Sequence, residues 1–242
     1  MNYSLSVQPG EPAGLPDSRN PMDVFDSAML LTWYEWIAPC ALGVSLGALL
    51  FHITRLIRLG KPDDTAPPLG NVGPAVFYSM TGAMSPAKKE SAYLHLPTYL
   101  AGIIYHLGTF LSFLLFFFLL IRLPFPSLLT LLLSAFLLVS AVCGFGILVK
   151  RVVNLELRSL SNPDDYLSNI LATLFQAATI LTLYLPEWRA SYFILASILF
   201  LYIPLGKLKH VIYFFAARYH LGFFYGWRGV WPPGKKERKT NC

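Results

Sequence analysis

Uncharged apolar stretches long enough to cross a bilayer recur along this chain, and no other feature constrains its fold as tightly. No Asp, Glu, Lys or Arg occurs in residues 36–54, 97–121, 123–149, 166–186 or 190–206. A hydrocarbon core about 30 Å thick needs about 20 apolar residues of helix to cross it. Backbone polar groups find no water there, so a segment this long and this apolar reads as a helix that satisfies them internally. Composition agrees: 55% of the 242 residues are hydrophobic and 13% are charged, against about 25% charged in ordinary soluble domains. The reading is an all-α integral membrane protein of five transmembrane helices. The expected spans are 28–57, 97–122, 126–150, 165–186 and 189–222. Around them lie an outer N-terminal segment over 1–27, a loop over 58–96, a loop over 151–164 and a tail over 223–242.

The basic residues orient these spans. The first long loop carries Arg55, Arg58, Lys61, Lys88 and Lys89; the third carries Lys150, Arg151 and Arg158; the tail carries Arg228, Lys235, Lys236, Arg238 and Lys239. The opposite side has only Arg19, Arg122 and Arg189. Cytoplasmic loops collect Lys and Arg, so the N-terminus is expected outside and the C-terminus in the cytoplasm, in the inner membrane of a prokaryote. The net charge of +6 is therefore membrane topology, and no nucleic-acid partner is expected. Residues 1–27 lack a basic start followed by an apolar core, so no signal peptide is read there. Cys40, Cys143 and Cys242 form no C-x-x-C pair, which leaves no iron–sulfur or zinc motif in this chain.

Four of the five histidines fall in, or at the edge of, two of the spans. His95 and His106 begin the second, and His210 and His220 lie in the fifth. Ionisable groups in a membrane segment are costly and point to function, and histidine is a common axial ligand of haem. The two spacings correspond to roughly 16 Å and 15 Å along a helix. The topology makes the second and fifth spans antiparallel, which would set His106 against His210 and His95 against His220. Two stacked bis-histidine sites follow, suited to two b-type haems. Eleven residues return to within about 20° of one helical face, whereas ten lie about 80° off it.

The stretches His95-Leu-Pro-Thr-Tyr-Leu-Ala-Gly-Ile-Ile-Tyr-His106-Leu-Gly and Pro204-Leu-Gly-Lys-Leu-Lys-His210, with His220 beyond, resemble the membrane cytochrome b family of the respiratory nitrate reductase gamma subunit. The likeness is closest to its relatives in heterodisulfide reductase and in the complex linked to dissimilatory sulfite reduction, and it spans all five segments. It implies a dihaem cytochrome b bundle with His95, His106, His210 and His220 as metal ligands. It also implies exchange of electrons with menaquinone or another quinone near the outer face, and a heterodisulfide-reductase-like iron–sulfur subunit docked on the cytoplasmic side. Lys207, Lys209 and Arg218 are expected near the haem propionates, or else as a cationic cap at the membrane edge. A haem-free transporter and a structural anchor for a peripheral enzyme are the alternative functions.

Other residues receive blander readings. Glu35 is expected in the headgroup layer, Arg122 as an interfacial cation, and Phe116 with its aromatic neighbours as lipid-facing bulk. His52 is expected at a surface or interface. Gly102, Gly108, Gly144 and Gly146 suit close approach of a porphyrin or of another helix. The first long loop exceeds ordinary connector lengths, and its apolar residues 75–84 are expected against a partner protein. The tail aromatics Phe223, Phe224, Tyr225, Trp227 and Trp231 belong to the same expected docking surface.

Overall fold

A computed structural model describes residues 32–60, 65–85 and 95–233. Its contacts divide the chain into 1–33 and 34–242, and the architecture below is that of the second unit. The outer segment 1–27 lies outside the described residues. So do Lys61, Lys88, Lys89 and the end of the basic tail.

Among the described residues eight α-helices follow in order: α1 (Trp33–Arg58), α2 (Val72–Met80), α3 (Leu96–Leu120), α4 (Ser127–Val153), α5 (Leu155–Ser159), α6 (Pro163–Tyr184), α7 (Arg189–Tyr202) and α8 (His210–Trp227). Four of them, α1, α3, α4 and α6, are long and apolar enough to cross a membrane, and α7 with α8 makes a fifth if that bent pair is one span. The four long helices overlie the first four expected spans, with residues 28–31 of the first outside the described residues; the last span differs. Residues 189–222 do not form one rod, because α7 and α8 meet at 67°. Pro204 has no N–H to donate and disfavours helix at Ile203 before it. Gly206 then takes an extended backbone.

Helices α3, α4, α6 and α7 form the packed body. Its centre is aromatic: Phe116 lies edge-on to Phe200 at 4.9 Å between ring centroids, and Phe175 stacks on Tyr192 at 5.5 Å. These rings are fully buried, so Phe116 is core and only its neighbour Phe117 is exposed. Burial of aromatic surface supplies much of the packing energy here. Small residues bring the backbones together: a Cβ on Gly108 would stand 2.0 Å from Ser140 Oγ, and one on Gly144 would stand 2.3 Å from the Tyr105 ring. Gly102 and Gly146 face open space.

At one end of the body Glu35, wholly buried, accepts from Arg122 Nη2 at 2.8 Å and from Arg189 Nη2 at 2.5 Å. Arg189 also donates to the Leu119 carbonyl at 2.9 Å. The headgroup expectation for Glu35 is therefore corrected: a carboxylate between two guanidiniums can be buried where a lone one would remain in water. Arg122, in the turn after α3, holds a left-handed backbone at φ 55°, and the Glu35 hydrogen bond raises its pKa above the ordinary arginine value.

At the other end, Lys150 donates to Thr98 Oγ1 at 2.7 Å. Asp165 pairs there with Lys207 at 2.6 Å and with Arg151 at 3.0 Å. Helix α2 lies along α8, where Gly222 and Gly226 admit it: a Cβ on either glycine would stand 2.5 Å from Val76 Cα or Ala75 Cβ. Trp227 donates its indole N–H to the Ala66 carbonyl at 2.6 Å, and Trp231 packs on both Tyr225 and Tyr78. The apolar loop and the tail aromatics thus cover each other within this chain.

Candidate functional site

Helix α3 carries His106 ten residues beyond Leu96, roughly 15 Å from the helix start and near mid-depth of a bilayer core. The α7–α8 break delivers His210 as the first residue of α8. The two imidazole rings face each other at 6.4 Å between centroids and 36° between planes, and both residues are exposed at the surface of the body.

The hydrogen bonding of His210 fixes its proton. Its Nδ1 lies 2.8 Å from the Lys207 carbonyl oxygen, and a carbonyl only accepts, so Nδ1 carries the hydrogen. In the neutral ring Nε2 then keeps its lone pair. This second partner is the arrangement that orients metal-ligating histidines.

The far side of α3 is held still. Tyr105 donates its hydroxyl to the Asn169 carbonyl at 2.9 Å and lies 3.0 Å from Thr173 Oγ1. Ser140 donates to the Ile104 carbonyl at 3.1 Å, and Gln176 to Thr109 Oγ1 at 2.8 Å. These bonds tie residues 104–109 to α4 and α6, and so direct His106 outward. Sequence reasoning passed over Gln176, although a lone glutamine in an apolar span signals such a bond.

The second predicted pair is not brought together. His95 is the exposed N-cap of α3 and makes no capping side-chain bond. His220 lies ten residues along α8, which packs chiefly on α2. The facing of His95 and His220 required a straight fifth span, and the 67° bend removes that condition. His220 instead lines an apolar cavity between α1 and α8. His52 rests against Tyr213 of α8 at 6.3 Å between ring centroids, an interface position. Its Nδ1 is buried without a hydrogen-bond partner.

Two of the three expected propionate partners have other company. Lys207 is paired with Asp165. Arg218 touches Met84 Sδ and lies over the Phe214 ring. Lys209 caps α8 beside His210, half-buried. Among the described residues no group of three or more His, Cys, Asp or Glu could hold a metal ion, so a tetrahedral site is not assembled. Two facing imidazoles are a different donor set, of the kind that could hold a haem between them. A metal–imidazole bond of about 2 Å, with about 1 Å more to each ring centre, sets such centroids about 6 Å apart. The pair fits that span.

No family model, curated protein or solved structure matches this chain.

Proposed function

We propose that this chain is a b-type cytochrome subunit that exchanges electrons between a membrane quinone, menaquinone among the candidates, and an iron–sulfur protein on its basic side. The observation that carries the reading is the facing of His106 and His210, with Nδ1 of His210 turned to the Lys207 carbonyl. An imidazole open to hydrocarbon is costly, and a macrocycle between the two rings would cover both. Haem b would supply one-electron chemistry at mid-depth. The chain's own residues would hold and orient it: His106 and His210 would ligate the haem, the Lys207 carbonyl holds the Nδ1 proton of His210, and the bonds of Tyr105 and Gln176 keep α3 from rotating. The second haem expected from His95 and His220 has no such support, and the proposal is one haem.

For the partner, the basic end offers exposed Phe77 on α2 and Leu155 and Leu160 around α5. A heterodisulfide-reductase-like iron–sulfur subunit would sit there beside the cationic residues of both loops.

The test is the visible spectrum of protein purified from a haem-replete host. The dithionite-reduced protein is expected to show the α band of b haem. His106→Ala or His210→Ala abolishes it, and His95→Ala leaves it unchanged. A wild-type protein without the band, or either central variant with full haem content, overturns the proposal.

A further inference from the structure

We infer that Asp165 is a positioning residue for His210: it anchors Lys207, whose backbone carbonyl sets the imidazole. That the imidazole serves a haem rests on the reading above; that Asp165 orients it does not.

The strap between α7 and α8, residues 203–209, has little regular structure of its own. Gly206 is extended, and a single tight helical turn, Lys207–Lys209, precedes His210. A segment so sparsely bonded gains conformational freedom unless its surroundings hold it. The first turn of α6 holds it at both ends. Tyr202, at the end of α7, donates its hydroxyl to the Asp164 carboxylate. Lys207 donates to Asp165 Oδ1 at 2.6 Å. Between them Gly206 lies against the Tyr202 ring, where a Cβ would stand 2.3 Å from Cζ.

Asp165 is itself fixed. Its Oδ2 accepts from the Asn162 backbone amide at 3.0 Å, and Asn162 Oδ1 accepts from the Asp165 amide at 3.1 Å, a reciprocal capping box. Oδ1 is left to receive two cations, Lys207 and, at 3.0 Å, Arg151. Arg151 lies in the last turn of α4, and its neighbour Lys150 donates to Thr98 Oγ1 at 2.7 Å. Thr98 precedes His106 by about two turns of α3. One carboxylate thus links the strap that delivers His210 to the helices that place His106. The last link is the Lys207 carbonyl, which accepts both the backbone and the ring N–H of His210. If Lys207 shifts, that carbonyl turns, and the ring loses the bond that fixes its proton and its plane.

A cationic cap at the membrane edge would use Lys207 and Lys209 alike; the ion pair separates them. Exposed ion pairs add little stability, and the Lys207 side chain is 49% exposed. The junction therefore governs geometry, and the fold should outlast its loss.

The experiment compares Asp165→Asn, Lys207→Met and Lys209→Met in the purified full chain. None of them removes the Lys207 carbonyl. Asp165→Asn keeps an oxygen for the Asn162 amide, and Lys207→Met alters an exposed side chain, so it reports even where the first is unstable. In haem-free protein with isotope-labelled histidine at alkaline pH, the His210 resonances are assigned by their loss in His210→Gln. Wild type and Lys209→Met should show the Nδ1–H tautomer; Asp165→Asn and Lys207→Met should show a mixture of both. In haem-loaded protein those two should hold haem about tenfold more weakly, as when a partner of a ligating histidine is lost. Both should also change the ferric EPR spectrum, which reports the angle between the imidazole planes. A charge effect alone would raise the haem potential in Asp165→Asn and lower it in Lys207→Met; lost positioning changes tautomer and spectrum in both alike. An Nδ1–H tautomer kept in both variants, or an equal change in Lys209→Met, would overturn the assignment. A chain that takes up no haem yet shows the tautomer change upholds the role of Asp165 and refutes the cytochrome reading.

Discussion

The two halves of α1 are equally apolar, yet residues 35–45 are packed into the body and residues 46–60 stand away from it. In the first half Glu35, Ala38, Ala41 and Ser45 are buried; in the second Leu50, Phe51 and Ile57 are each more than 60% exposed. Hydrophobicity cannot be the cause, because lipid is as apolar as leucine and gives helices no reason to associate. The difference lies in what else each half carries. The first offers a carboxylate to two arginines and small residues to the aromatic core. The second offers large aliphatic side chains, which lipid solvates as well as protein does.

That contrast is broken most sharply by Glu35→Ala. Removing one member of a buried ionic cluster leaves the others uncompensated and costs about 3–5 kcal/mol. Arg189, 19% exposed, would bear most of it, while Arg122 can turn to water. Thermal unfolding in detergent should show the loss, and cysteine cross-links between residue 38 and α7 should fail to form. A Glu35→Ala protein as stable as wild type would mean that α1 is held by something else.

The second comparison is between α8 and the straight span expected in its place. Gly222→Leu drives a side chain into Val76 and should cost about 1–3 kcal/mol by overpacking. Helix α2 would then leave α8, and limited proteolysis should cut within 65–85. The haem expected at His106 and His210 should survive, because neither residue touches α2. Protection of 65–85 in the variant would show that Trp227 and Trp231 alone hold the loop.

Much of this was legible in the sequence and some was not, for separable reasons. Four spans follow from uncharged run length, which depends only on bilayer thickness. The pairing of His106 with His210 followed from antiparallel topology and survived the bend, because His210 stands at the break itself. His220 lies beyond the break, so the same reasoning failed ten residues later. Pro204 was in plain view, but a proline in a membrane helix is tolerated often enough that composition could not decide between a kink and a 67° turn. Glu35 was misplaced for another reason: its partners are 87 and 154 residues away. A lone carboxylate in a sequence looks like a surface group until those arginines are known. The apolar loop was expected against a partner protein; within the chain its Val76 and Ala75 lie against Gly222 and Gly226 of α8, while Phe77 stays exposed.

The smallest expected effect is the most informative about the open half of α1. Leu50→Ala removes a large side chain that is 62% exposed and lines the apolar groove between α1 and α8. In a close-packed core such a truncation costs about 2–5 kcal/mol. Here it should cost under about 0.5 kcal/mol in thermal unfolding, as for a surface position, because lipid replaces the lost contacts. If Leu50→Ala is severely destabilised instead, the two halves of α1 are packed alike and the groove beside α8 is closed by protein.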